Sequence, residues 1–162
     1  MPPTLEHLRY LLRDTRAYML SAAVDLPEPL LQAPNAIGDY SVAQCMAIRI
    51  ETENRALTLA QSMLHGHPFS YPLSREELER KAVFMRWGWD WAHLMRELYQ
   101  QREETMWNLD DFQGDILHRP FDVHGQLLSP YDVLAAIAEE ERALGDALWT
   151  WRKKLEVGER QS

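Results

Sequence analysis

One cysteine, Cys45, is all that 162 residues hold. No internal disulfide framework can staple the chain, and a reducing, cytoplasmic setting is expected. Long apolar runs are missing too. None approaches the roughly 20 residues that span a bilayer, so no membrane association is expected. The start, MPPTLEHLRYLLRD, lacks the basic-then-apolar order of a secretion signal. Positive charge is scarce: 17 Lys and Arg stand against 25 Asp and Glu, a formal net charge of −8. Without a basic face, nucleic acid is not an expected partner. No phosphate loop, dinucleotide fingerprint or Ser-His-Asp order occurs. These absences leave an acidic, soluble chain long enough to bury one core.

What is present is helical periodicity, and no segment alternates as a strand would. Four long segments carry it. The first covers about residues 4–24, with Leu5, Leu8, Leu12, Thr15, Met19 and Ala22 on one stripe. A connector with Pro27, Pro29 and Pro34 follows. The second helix covers about residues 41–64, opened by a Ser41/Gln44 capping box and closed at Gly66 and Pro68. The third is expected to run unbroken from Ser74, with Glu77 completing another box, through MRWGWDWAHLM to about Gln101. A second long connector leads to the fourth helix, which begins at Ser129 with Pro130 at its first position and extends to about Leu155. The expected fold is all-α: a four-helix bundle with long connectors before helices two and four. One domain spans residues 1–157, and residues 158–162 form a frayed tail. Trp87, Trp89, Trp91, Trp107, Trp149 and Trp151 cannot all face one core, so some should point outward, which predicts a homodimer.

Charged residues interrupt two stripes. On the second helix, Arg49 and Glu53 fall among Val42, Cys45, Met46, Leu57 and Ala60. On the fourth, the run Glu139-Glu140-Glu141 splits by angle: Glu141 at the stripe centre, Glu140 at its flank, Glu139 toward solvent. A lone buried carboxylate costs several kcal/mol, so such groups are paired, ligated or wet. The expected arrangement is a polar cluster in which Arg49 bridges Glu53 and Glu140 or Glu141. It reads first as a structural ion pair, then as the polar floor of a small-molecule cavity, and last as a metal site. No Glu-x-x-His pair of the di-iron bundles lies on the long helices.

The segments GDYSVAQCMAIRIETE and LLSPYDVLAAIAEEERALGDAL resemble the second and last helices of the DinB-like (YfiT-like) family. Helix order and the connector before the last helix agree over nearly the whole chain. In that family a Trp-Ser/Thr-Val start leads to one histidine on helix two, and helix four supplies His-x-x-x-His. The resemblance implies a three-histidine site for zinc or nickel and thiol-dependent transferase or isomerase activity, although many members have no assigned role. Residue by residue, the three ligand positions fall on Ile48, Glu140 and Leu144, and Tyr40 stands where the tryptophan is usual. Hydrocarbon has no lone pair to give, so the resemblance implies a bundle that has lost its histidine-bound metal, with Arg49 supplying the positive charge beside Glu140. The role implied is then stress-associated or small-molecule binding, with no cofactor. Two alternatives stand beside it. One is a metal- and thiol-dependent transferase or hydrolase that holds zinc or nickel through Glu140 and His118 or His124 from the long connector. The other is an interaction module using exposed aromatics. His65 and His67, in the sequence HGH, form a surface-chelate pattern; His93 reads as a boundary residue and Cys45 as a small buried hydrophobe.

Overall fold

The computed structural model describes residues 2–66 and 73–161. It is all-α, with six α-helices among the described residues: α1 Leu5–Ser21, α2 Glu28–Leu31, α3 Val42–His65, α4 Arg75–Met85, α5 Trp91–Asn108 and α6 Pro130–Gln161. α1 packs on α6, α3 on both α5 and α6, and α4 on α3.

Helix ends follow local chemistry. Thr4, Ser41, Ser74 and Asp90 each accept a backbone N–H three residues on, a contribution of about 1 kcal/mol per cap. At Ser41 the Gln44 side chain returns the bond, completing the box. At Ser74 the hydroxyl accepts from Glu77, and no return bond forms. Ser129 and Asp132 make a further reciprocal pair at the start of α6. Gly66 closes α3 in the left-handed conformation, with φ +68°.

Three expectations need correction. The third helix is two helices. α4 stops at Met85, the chain turns through Gly88 at φ +81°, and Asp90 caps a new helix. The long connector also contains a hairpin, β1 Phe121–Val123 with β2 Gln126–Leu128, where sequence periodicity predicts no strand. His124 and Gly125 both take positive φ at its two-residue turn, as a primed turn requires. Finally, α6 continues past Leu155 to Gln161.

The apolar interior has two parts. One gathers Leu5, Leu8, Leu12, Leu57, Leu109, Phe112, Leu134 and Ile137. The other gathers Met19, Ala22, Val42, Met46, Ile50, Leu94, Leu98 and Leu148. On each long helix the residues between the two clusters are polar: Thr15 and Arg16 on α1, Glu53 on α3, Arg102 and Thr105 on α5, Glu141 on α6. The interior is therefore a polar layer between two apolar halves. No described helix is long and apolar enough to cross a membrane.

Candidate functional site

The polar layer is a closed ion-pair network. Glu53 and Glu141 are 1% and 0% exposed. Glu53 Oε1 accepts from Arg102 Nη2 at 2.9 Å and from Arg16 Nη2 at 3.1 Å. Its Oε2 accepts from Arg102 Nε at 3.1 Å and Thr105 Oγ1 at 2.8 Å. Glu141 Oε2 accepts from Arg16 Nε at 2.5 Å, and Oε1 accepts from Thr15 Oγ1 at 2.9 Å. Arg102 Nη2 lies 2.8 Å from Glu141 Oε1. Each guanidinium also reaches backbone: Arg102 Nη1 donates to the Leu12 carbonyl and Arg16 Nη1 to that of Leu98. Two cations and two anions balance, and every carboxylate oxygen has a charged donor. Burial works to raise the Glu141 pKa, but the charges of Arg102 and Arg16 and their hydrogen bonds outweigh it, holding the carboxyl below its ordinary value.

The helical angles read from the sequence hold for the triple acid: Glu139 is exposed, Glu140 half-buried and Glu141 buried. The pairing agrees in part. Arg49 Nη1 donates to Glu140 Oε2, one of its two expected partners on α6, while Arg75 on α4 donates to Glu140 Oε1 at 2.8 Å. Arg49 does not reach on to Glu53, which with Glu141 belongs to Arg16 and Arg102. Arg75 also reaches Glu79 at 3.2 Å. Burial opposes ionisation of Glu140, yet the Arg49 charge and the bonds from both arginines keep its pKa below the ordinary value. The two clusters are thus distinct, an inner layer of four charges and an outer clamp on Glu140. Arg102 lies four residues after Leu98 on the α5 stripe, the same signal that marks Glu141. Arg16 sits beside the α1 stripe, where spacing alone is silent.

The positions that the resemblance assigns to metal ligands do not make a site. Ile48 is buried, Leu144 packs against the second apolar cluster, and both oxygens of Glu140 hold guanidinium hydrogens. Among the described residues no group of three or more His, Cys, Asp and Glu could hold an ion. His118 is engaged elsewhere, its Nε2 2.6 Å from the Pro3 carbonyl and its ring against Tyr131. Tyr131 precedes Glu140 by nine residues, roughly 13 Å along the helix. His124 occupies the exposed hairpin turn. His93 stacks on Trp89 at 3.9 Å. Of the HGH pattern, His65 ends α3 and His67 lies outside the described residues. Cys45 is buried, and burial together with Glu79 pushes its thiol up to about 12, which removes it as a nucleophile at neutral pH.

The inner layer is not sealed on every side. Between α1 and α5 runs a groove of about 960 Å³ lined by Leu12, Arg16, Ala17, Arg102 and Met106, with Tyr99 and Trp107 at its rim. Trp107 is 84% exposed, and Tyr99 is exposed beside it on the same helix. The other tryptophans divide: Trp87 is exposed, whereas Trp89, Trp91, Trp149 and Trp151 pack against the second apolar cluster.

Solved structures show similar architecture. An uncharacterised protein from Escherichia coli UTI89 superposes with a TM-score of 0.79 at 15% identity, covering 96% of each chain. An uncharacterised protein from Clostridium difficile 630 gives 0.80 at 13% identity, covering 94% of this chain and 98% of that one. A protein from Streptococcus pneumoniae gives 0.73 at 14% identity, covering 96% and 92%. At these identities the likeness is one of fold. No family model and no curated protein matches the chain.

Proposed function

We propose that this chain is a DinB-like four-helix bundle that acts by binding, as a homodimer, and has given up the histidine-held metal of that family. Glu140 carries the reading. Of the three positions that the resemblance assigns to ligands it alone has a donor atom, and Arg49 and Arg75 occupy both its oxygens. A guanidinium pair here does electrostatically what a divalent cation does elsewhere, without an open coordination position for a reactant.

The binding face is the α1/α5 groove. Its floor presents the edges of Arg16 and Arg102 and its rim is aromatic, a combination suited to a flat small molecule with an acceptor group. The same face suits a second copy. Arg13 lies on the α1 side and Glu103 and Glu104 on the α5 side. A two-fold axis that sets α1 of one copy against α5 of the other therefore brings opposite charges together.

Elemental analysis of tag-free protein tests the metal reading: zinc, nickel and iron should all be far below one atom per chain, and near-stoichiometric metal would overturn it. Light scattering should give the mass of two chains for the wild type and one for Trp107→Glu. A wild-type monomer would remove the homodimer.

A further inference from the structure

A second, smaller cavity of about 260 Å³ lies on another side of the molecule, where the α4–α5 corner meets the N-terminal third of α3. Ala43, Ala47, Val83 and Leu94 give it apolar walls, and Trp87 and Trp89 flank it. Arg86 lines it, with its side chain only 10% exposed. Its Nη2 is 2.9 Å from Glu51 Oε1, but its Nε and Nη1 are buried and have no partner among the described residues. Unpartnered buried donors are rare in folded proteins because each has lost water without a replacement.

The other polar groups of the cavity sharpen what is missing. Ser41 Oγ and Gln44 Oε1, two of its side-chain acceptors, are committed to each other's backbone N–H groups at the start of α3. Gln32 Nε2 donates to Glu28 and to the Trp89 carbonyl. What stays uncommitted are mostly donors: Arg86 Nε and Nη1 and the amide hydrogens of Gln44, against one acceptor, the side-chain oxygen of Gln32. The occupant must therefore bring acceptors. It need not bring charge, because Glu51 already balances Arg86, and two further carboxylates stand close by. Glu28 bonds both Gln32 and the Trp91 N–H, and Asp90 caps α5. An anion entering here would meet net negative surroundings.

We propose that this cavity is a binding site for a small, flat, neutral carbonyl compound, a carboxamide or its like, whose oxygen accepts from Arg86 while its apolar body lies against Trp87 and the alanine face of α3; Trp89, stacked on His93 and 5.5 Å beneath the Arg86 guanidinium, bounds the site. The site shares no lining residue with the α1/α5 groove and does not depend on how that groove or the Glu140 clamp is read.

Benzamide is the probe, with benzoate as its charged counterpart. In full-length protein carrying 15N-labelled tryptophan, benzamide should shift the indole signals of Trp87 and Trp89 saturably. The dissociation constant should be on the order of 1 mM for a ligand of this size. The signals of Trp107, Trp149 and Trp151 should stay in place. Benzoate should bind at least several-fold more weakly. Arg86→Lys removes the planar donors and should weaken benzamide by about tenfold or more. Ala47→Leu fills the cavity from the opposite wall without touching Arg86 and should abolish the shifts, so the test does not rest on one variant's folding. Unmoved Trp87 and Trp89 signals in the wild type would overturn the site. So would tighter binding of benzoate, or wild-type titrations from both variants.

Discussion

Glu141→Gln puts the inner polar layer to its hardest test. The change is almost isosteric and leaves one acceptor oxygen, so packing is preserved and charge is lost. Two guanidinium groups, 12% and 10% exposed, then share Glu53 as their only carboxylate. Breaking a buried pair by removing one partner costs about 3–5 kcal/mol. Arg16 lines the open groove and can turn toward water, which places the expected loss near the lower end, about 3 kcal/mol. For a chain of this length that is a fall of about 6–12 °C in Tm. Urea titration followed by tryptophan fluorescence at pH 7 measures it. The paired variant Arg16→Met/Glu141→Gln restores charge balance and should be clearly more stable than the sum of its single changes predicts, by about 1–2 kcal/mol. pH supplies a second axis. The Glu141 carboxyl is held below its ordinary 4.5 in the folded protein. Its stabilisation is therefore fully present above that value and is lost as pH falls through the folded pKa, where the wild-type side chain also becomes neutral. The gap between wild type and Glu141→Gln should shrink accordingly. A loss under 0.5 kcal/mol at pH 7 (about the scatter of neutral surface changes), or strict additivity in the pair, would refute the account.

Three further outcomes are expected. Arg49→Met should cost only about 1 kcal/mol, because Glu140 is 39% exposed and keeps Arg75; a loss of about 3 kcal/mol in the same urea assay would place Arg49 in the inner layer after all. Gly145→Ala should lower stability by about 1 kcal/mol despite the helix-favouring substitution. The new Cβ would stand 2.7 Å from the Tyr18 ring and 3.3 Å from Met19 Cα, so thermal melts should show the cost reduced in Gly145→Ala/Tyr18→Ala. Cys45, buried and with its thiol pushed up to about 12, should resist iodoacetamide at pH 8 in the native protein and react readily in urea; stoichiometric native labelling would contradict its burial.

The candidate site was legible in part. The angular order of Glu139, Glu140 and Glu141 follows from residues per turn measured against the apolar stripe Val133, Leu134, Ile137, Leu144 and Leu148 of the same helix, and it is what the structure has. The cations could not be assigned in the same way. Arg16, Arg49, Arg75 and Arg102 are all within reach of some helix face, and a guanidinium reaches far enough that spacing does not select its acceptor. The break at Gly88 is masked in the sequence because tryptophans at alternating positions extend an apolar pattern across it, although Asp90 carries an ordinary cap. The hairpin strands are three residues each, too short for alternation to emerge.

The amino-acid sequence by itself determined the long helices, most of their ends, and which side chains each turns inward, including the charges. These are properties of one segment and its immediate neighbours, set by the helical repeat and by caps three residues long. Only the tertiary structure decided who neutralises whom: Arg16 and Arg102 with Glu53 and Glu141, Arg49 and Arg75 with Glu140. That choice depends on which helices are adjacent and at what height they meet, and the energy that settles it exists only once the charges have left water together.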